Sequence, residues 1–145
     1  MRNFLTIIAM LAFQVGISQS NPQSVKLNAA MSPSEIGALS ADQLDQLSYF
    51  ANSGFRVHDT PKPGSAFANL SSVLKAGKTA PDYANINQEN FNPLIFDFGS
   101  RADHQFFLID GTDRVIQIYS ADYCNMRYEQ VRTTRENAKK IGNKK

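Results

Sequence analysis

A chain of 145 residues with a formal charge of +2 and 42% hydrophobic residues has the make-up of a single globular domain. Its one cysteine excludes an intramolecular disulfide, and neither an internal repeat nor a low-complexity run interrupts it. The charge is unevenly divided. Arg127, Arg132, Arg135, Lys139, Lys140, Lys144 and Lys145 are opposed only by Glu129 and Glu136 in the last stretch, while residues 19–123 are net acidic.

The first elements read as a secretory leader. Arg2 supplies a positive start, Phe4 to Ile17 is apolar apart from Thr6, Gln14 and Gly16, and Gly16 and Ser18 are spaced for processing. The expected organisation is a cleavable signal at 1–18, a loose lead-in at 19–31 and one domain at 32–145 that ends in a basic helix. The apolar run falls short of the roughly 20 residues a spanning helix needs, and no second such run follows. No cysteine stands at the new N-terminus to carry a lipid.

Residues 19–31 are polar and irregular, with Val25 and Leu27 as a short strand at most. Ser32-Pro33-Ser34-Glu35 is a capping box with proline at the first helical position, so a short helix carries Ile36 and Leu39. Ser40 opens a second helix, with Asp42 in its first turn and Leu44, Leu47, Phe50 and Ala51 along one stripe. Gly54 ends it as an expected left-handed cap. Phe55 to Asp59 alternates as a strand, and Pro61-Lys62-Pro63-Gly64 turns the chain. Phe67, Leu70, Val73 and Leu74 have helical spacing, and residues 78–92 read as a surface loop.

Three apolar runs predict a meander: Leu94–Phe98, Gln105–Ile109 and Val115–Tyr119, the last two joined by a tight Asp110-Gly111 turn. Asp122 can cap a terminal helix over 123–140 with Tyr123, Met126 and Val131 facing inward. The predicted class is α+β: a small antiparallel sheet of about three to five strands packed against two or more helices.

Candidate chemistry is sparse. Asp110 and Asp113 flank a loop too short to give calcium its six to eight oxygens, so they are read as turn residues. His58 and His104, each beside an aspartate, are the weak candidates for a metal site. Cys124, near a predicted helix start, and His104 are the weak candidates for a nucleophile and base. Phosphate-binding, nucleophile-elbow and cofactor motifs are absent, so no cofactor is expected. Asn69-Leu70-Ser71 is a formal glycosylation acceptor, with Leu70 read as a packing residue.

The aromatic residues carry the leading expectation. Adjacent Phe106 and Phe107 face opposite sides of a strand, so either both sheet faces are covered or one binds a partner. The second arrangement makes Phe98 and Phe106 binding residues, joined by Arg127, Arg132 and Arg135 of the basic helix. Basic residues there are not interleaved with aromatics beyond Tyr128, so an unidentified protein or an anionic envelope surface is expected rather than nucleic acid. The sequence therefore favours a small, soluble, non-catalytic binding or interaction protein, secreted or periplasmic. The alternatives are a small hydrolase or thiol enzyme using Cys124 and His104, and a periplasmic metal-binding protein.

Overall fold

The computed structural model describes residues 22–59 and 66–142. The expected leader, residues 19–21, the turn at 61–64 and the lysines 144 and 145 lie outside the described residues. The described elements run α1 (Pro22–Ala30), α2 (Pro33–Gly37), α3 (Ala41–Ser53), β1 (Phe55–His58), β2 (Ala68–Asn69), β3 (Gln105–Leu108), β4 (Val115–Ile118) and α4 (Ala121–Gly142). The class is α+β with a small open sheet, as the sequence predicts.

The sheet order is β1-β4-β3-β2. β4 pairs antiparallel with β1 (Phe55 opposite Ile118) and with β3 (Gln105 opposite Ile118), whereas β2 pairs parallel with β3 (Ala68 beside Phe107). The sheet is thus mixed rather than wholly antiparallel. Its register places Phe55, Val57, Phe107, Ile116 and Ile118 on one face, and all but the half-buried Val57 are buried. Arg56, His58, Phe106, Leu108 and Gln117 share the other face, which is largely half-buried or exposed.

The expected meander has only two of its three strands. Pro93–Ile95 is a 3-10 turn, and Phe96 alone bridges to Leu74. Pro93 has no N–H to give a ladder and its fixed φ suits the first position of a helical turn. The Asn92 side chain accepts the Leu94 N–H at 3.1 Å to cap that turn. Pro93, Leu94, Ile95, Phe96 and Phe98 are all buried, so the run lacks the alternation that separates a strand from other buried backbone. β1 takes the third place in the sheet from the far side of β4.

Other expectations shift for local reasons. The helix expected over Phe67–Leu74 is β2 followed by a 3-10 turn at Leu70–Val73. A spacing of three fits the 3-10 period as well as one helix face. Asp110 caps this turn across the hairpin, accepting from Ser71 N at 2.9 Å and from the Ser71 hydroxyl, which is why it is a structural residue. Gly111, at φ +71°, supplies the left-handed residue of the hairpin loop.

The expected lead-in is instead largely helix α1, with Lys26 and Leu27 buried where a short strand was expected. Lys26, 8% exposed, donates from Nζ to the Ala51 carbonyl at 2.8 Å, and its ammonium lies 5.4 Å from the Phe55 ring centroid. That carbonyl belongs to the last turn of α3, where no helical partner exists. Burial lowers the Lys26 pKa. At Gly54 the backbone is at φ −79°, not left-handed. Glycine is needed there for room: a Cβ would sit 2.1 Å from a Phe50 ring carbon.

Both capping boxes form as predicted, from Ser32 and Glu35 and from Ser40 and Gln43. α4 begins two residues earlier than expected. Ser120, not Asp122, caps it, its hydroxyl accepting the Tyr123 N–H at 3.4 Å, and Asp122 stands in the first turn. Met126 is 49% exposed rather than inward, because Cys124 and Tyr128 occupy the buried stripe. Every described residue from Arg132 to Gly142 is exposed.

The core is an aromatic run. Phe55, Phe91, Phe96, Phe98 and Phe107 follow one another at centroid distances of 4.8, 5.4, 5.9 and 5.4 Å. The open edge of β1 is closed by one side chain: Gln88 accepts the Val57 N–H at 3.0 Å and donates to the Phe55 carbonyl at 3.2 Å. Arg114 fastens the 83–90 loop to the hairpin through the carbonyls of Ile86 and Ala84.

Candidate functional site

Helix α3, the first turns of α4 and the loop before β3 enclose a cleft of about 300 Å³. That is at the lower end for small-ligand sites. Leu39, Leu47 and Phe50 give it an apolar wall, Tyr49 and Tyr128 an aromatic one, and Gln43, Gln46 and Asn125 an amide rim. Arg101 is the one charged residue in the lining, and Cys124 the one thiol.

The backbone at Arg101 is unusual. Its φ of 47° makes it the sole non-glycine residue with positive φ among those described. Such a conformation costs about 1–2 kcal/mol and persists only where surrounding contacts impose it. Two contacts do so here. The Arg101 carbonyl accepts the Ala121 N–H at 2.9 Å, tying the loop to the start of α4. The guanidinium carbon lies 4.1 Å from the Phe50 ring centroid, a cation–π contact. Gly54 leaves the space that lets Phe50 lie there.

The guanidinium also interacts with the Cys124 thiol, while its Nη1 is buried without a hydrogen-bond partner among the described residues. Three buried side-chain atoms share that condition among the described residues, and only this one carries charge. Arg101 also has no ion-pair partner among the described residues. An unmet charged donor is more costly than an unmet neutral one.

The cleft walls are fixed by α3–α4 contacts. The Tyr128 hydroxyl donates to Asp45 Oδ2 at 3.0 Å, and the Tyr49 and Tyr128 rings meet edge-on at 5.8 Å. Burial raises the pKa of Tyr49, and burial followed by Asp45 raises that of Tyr128, so both keep their hydroxyl hydrogens at neutral pH.

The sequence-derived candidates do not meet at one place. Cys124 is 6% exposed, and burial pushes its pKa above the usual thiol value against a smaller opposing pull from Arg101. Its hydrogen points to the Tyr119 carbonyl at 3.9 Å. His104 is outside the cleft. Its Nδ1 accepts the Ser120 N–H at 2.9 Å, and its ring packs against Tyr119 and Tyr123. The thiol is therefore held protonated, and the imidazole nitrogen that would serve as base is occupied by backbone.

His58 bonds Gln117 at 3.0 Å and lies opposite Val115, the first residue of β4, whereas His104 adjoins the far end of β4. The length of that strand, about 10 Å, separates their backbones. No group of three or more His, Cys, Asp or Glu able to hold a metal occurs among the described residues.

Phe98, expected at a binding face, is 7% exposed and lies within the aromatic core because its segment is not a sheet strand. Phe106 is half-buried on the outer sheet face, 5.7 Å from Phe67. Arg132 pairs with Glu129 at 2.8 Å and Arg135 with Asp45 at 3.5 Å. Arg127 bonds Gln130 and borders a separate open groove of about 520 Å³ with Tyr49, Arg56, Tyr119 and Tyr123.

Sequence reading missed Arg101 because it sits in a turn, and only the docking of that turn on α3 gives it a role. Its one trace is that no other Lys or Arg occurs between Lys78 and Arg114. No protein-family model, curated protein or solved structure matches the chain. No helix among the described residues is long and apolar enough to cross a membrane.

Proposed function

We propose that the chain is an exported, non-catalytic binding protein that holds a small ligand in the α3–α4 cleft. The observation that carries this reading is Arg101, the one charged residue lining that cleft, whose Nη1 is buried without a hydrogen-bond partner among the described residues. A strained backbone and an unmet charged donor at one residue are features that cluster at binding sites, which supports this reading. The raised Cys124 pKa and the occupied His104 nitrogen weigh against the thiol-enzyme alternative. Export to the periplasm or beyond the cell is supported by the leader pattern of Arg2, the apolar run and Gly16-Ile17-Ser18.

A thermal-shift screen of small organic compounds tests the reading. Gln46 is exposed at the cleft rim, so Gln46→Trp blocks the mouth without entering the core. Ligands present at 100 times their Kd stabilise by about 2.7 kcal/mol. Compounds that raise the Tm of the wild type and not of Gln46→Trp support the cleft. Compounds that act equally on both locate binding elsewhere and refute it.

A further inference from the structure

We infer that the ligand of the α3–α4 cleft is an apolar organic carboxylate, seated with its carboxylate on the guanidinium edge of Arg101. The inference rests on the reading of this cleft as the binding site and adds the chemistry of its occupant. The sign of the charge follows from the lining, in which one residue is cationic and none is anionic. Asp45 on α3 is already engaged by Tyr128 and Arg135 and does not line the cleft.

A carboxylate follows from the cation itself: the N–H fork of Arg101, whose guanidinium carbon lies 4.1 Å from the Phe50 ring centroid, matches two carboxylate oxygens. The apolar body follows from Leu39, Leu47 and Phe50, which would remain wetted if an inorganic anion alone were bound. The amides of Gln46 and Asn125 make no hydrogen bond among the described residues and are left to meet polar substituents or water at the rim. Tyr49 and Tyr128 stay neutral and so do not repel the anion.

Isothermal titration calorimetry with four probes tests this: benzoate and hexanoate as carboxylates, benzamide as the uncharged counterpart, and inorganic phosphate. The expected result is one-to-one binding of a carboxylate, with benzamide weaker by about 10- to 100-fold, the worth of a hydrogen bond to a charged group. Arg101→Gln, also a non-glycine side chain at the same backbone position, should weaken the carboxylate by a similar factor. Arg101→Lys keeps the charge and loses the fork, so it should fall between the two. Circular dichroism of each variant checks that the fold is retained.

Benzamide binding as tightly as benzoate overturns the carboxylate assignment and leaves the cleft standing as an apolar site. Phosphate binding as tightly as either carboxylate overturns the requirement for an apolar body. Carboxylate binding that Arg101→Gln and Arg101→Lys leave unchanged overturns the seat on Arg101. Failure of all four probes overturns the carboxylate assignment, and the cleft reading then stands or falls on whether any screened compound raises the Tm of the wild type and not of Gln46→Trp.

Discussion

Substituting Gly54 by alanine tests how the cleft is built from beneath. The added methyl carbon would lie 2.1 and 2.6 Å from two Phe50 ring carbons and 2.7 Å from the Phe50 carbonyl oxygen. Carbon atoms pack at about 3.5–4.0 Å, so the ring must swing away. The carbonyl is less free, because it accepts the Gly54 N–H at 2.9 Å in the last turn of α3. Overpacking of this kind costs about 1–3 kcal/mol. Loss of the Arg101–Phe50 contact adds about 0.5–1 kcal/mol. The gain from a stiffer unfolded chain is about 0.4–1 kcal/mol, since φ −79° suits alanine. The net expectation is a loss of about 1–3 kcal/mol, or several degrees in Tm. Urea denaturation followed by circular dichroism measures it. Gly37→Ala is the control: it lies in α2 with nothing within 4 Å of the new carbon, and it should stabilise by about 0.5–1 kcal/mol. If Gly54→Ala is as stable as the wild type, Phe50 is not held where the cleft requires it.

Three further expectations follow from single contacts. Arg101→Gly should be more stable than Arg101→Ala by about 1 kcal/mol, because both lose the guanidinium and only glycine relieves the backbone at φ 47°; equal midpoints in urea would show that no strain is stored there. The Cys124 pKa is raised above its reference of 9.0 by burial, so its contribution to stability is complete below that pH and is lost as pH climbs through the folded value. Cys124→Ala should flatten the alkaline fall in stability just above pH 9, and native Cys124 should resist a thiol reagent at pH 8; rapid native labelling would contradict the burial. Gln88→Ala should bare the β1 edge and increase self-association at high concentration, seen by light scattering, whereas an unchanged monomer would show that the edge needs no cover.

The elements legible in the sequence are those whose signals are local. The α3 boundary follows from Ser40 and Gln43, whose reciprocal hydrogen bonds depend on residues three apart. β1 follows from the alternation of Phe55 to His58, and the hairpin from runs on either side of Asp110-Gly111. The rest depends on partners distant in the chain. Leu94–Phe98 resembles a strand until it is clear that Leu94, Ile95 and Phe96 are buried in succession and that its hydrogen bonds go to residues 73–75. α1 carries few apolar residues and is held by Lys26 reaching Ala51 and by Asn92 donating to the Lys26 carbonyl. The cleft was invisible for the same reason. Cys124 stands out in the sequence for its chemistry and does line it, but Arg101, Phe50 and Tyr128 meet there only through the packing of a turn between two helices.

The most direct test of the account is to titrate the ¹⁵N-labelled protein with benzoate and follow its backbone amides by NMR. A carboxylate site in the α3–α4 cleft predicts saturable shifts confined to residues 39–50, 99–102 and 124–128, absent in Arg101→Gln. Shifts centred instead on the Arg56–Arg127 groove, or none at all, would contradict it.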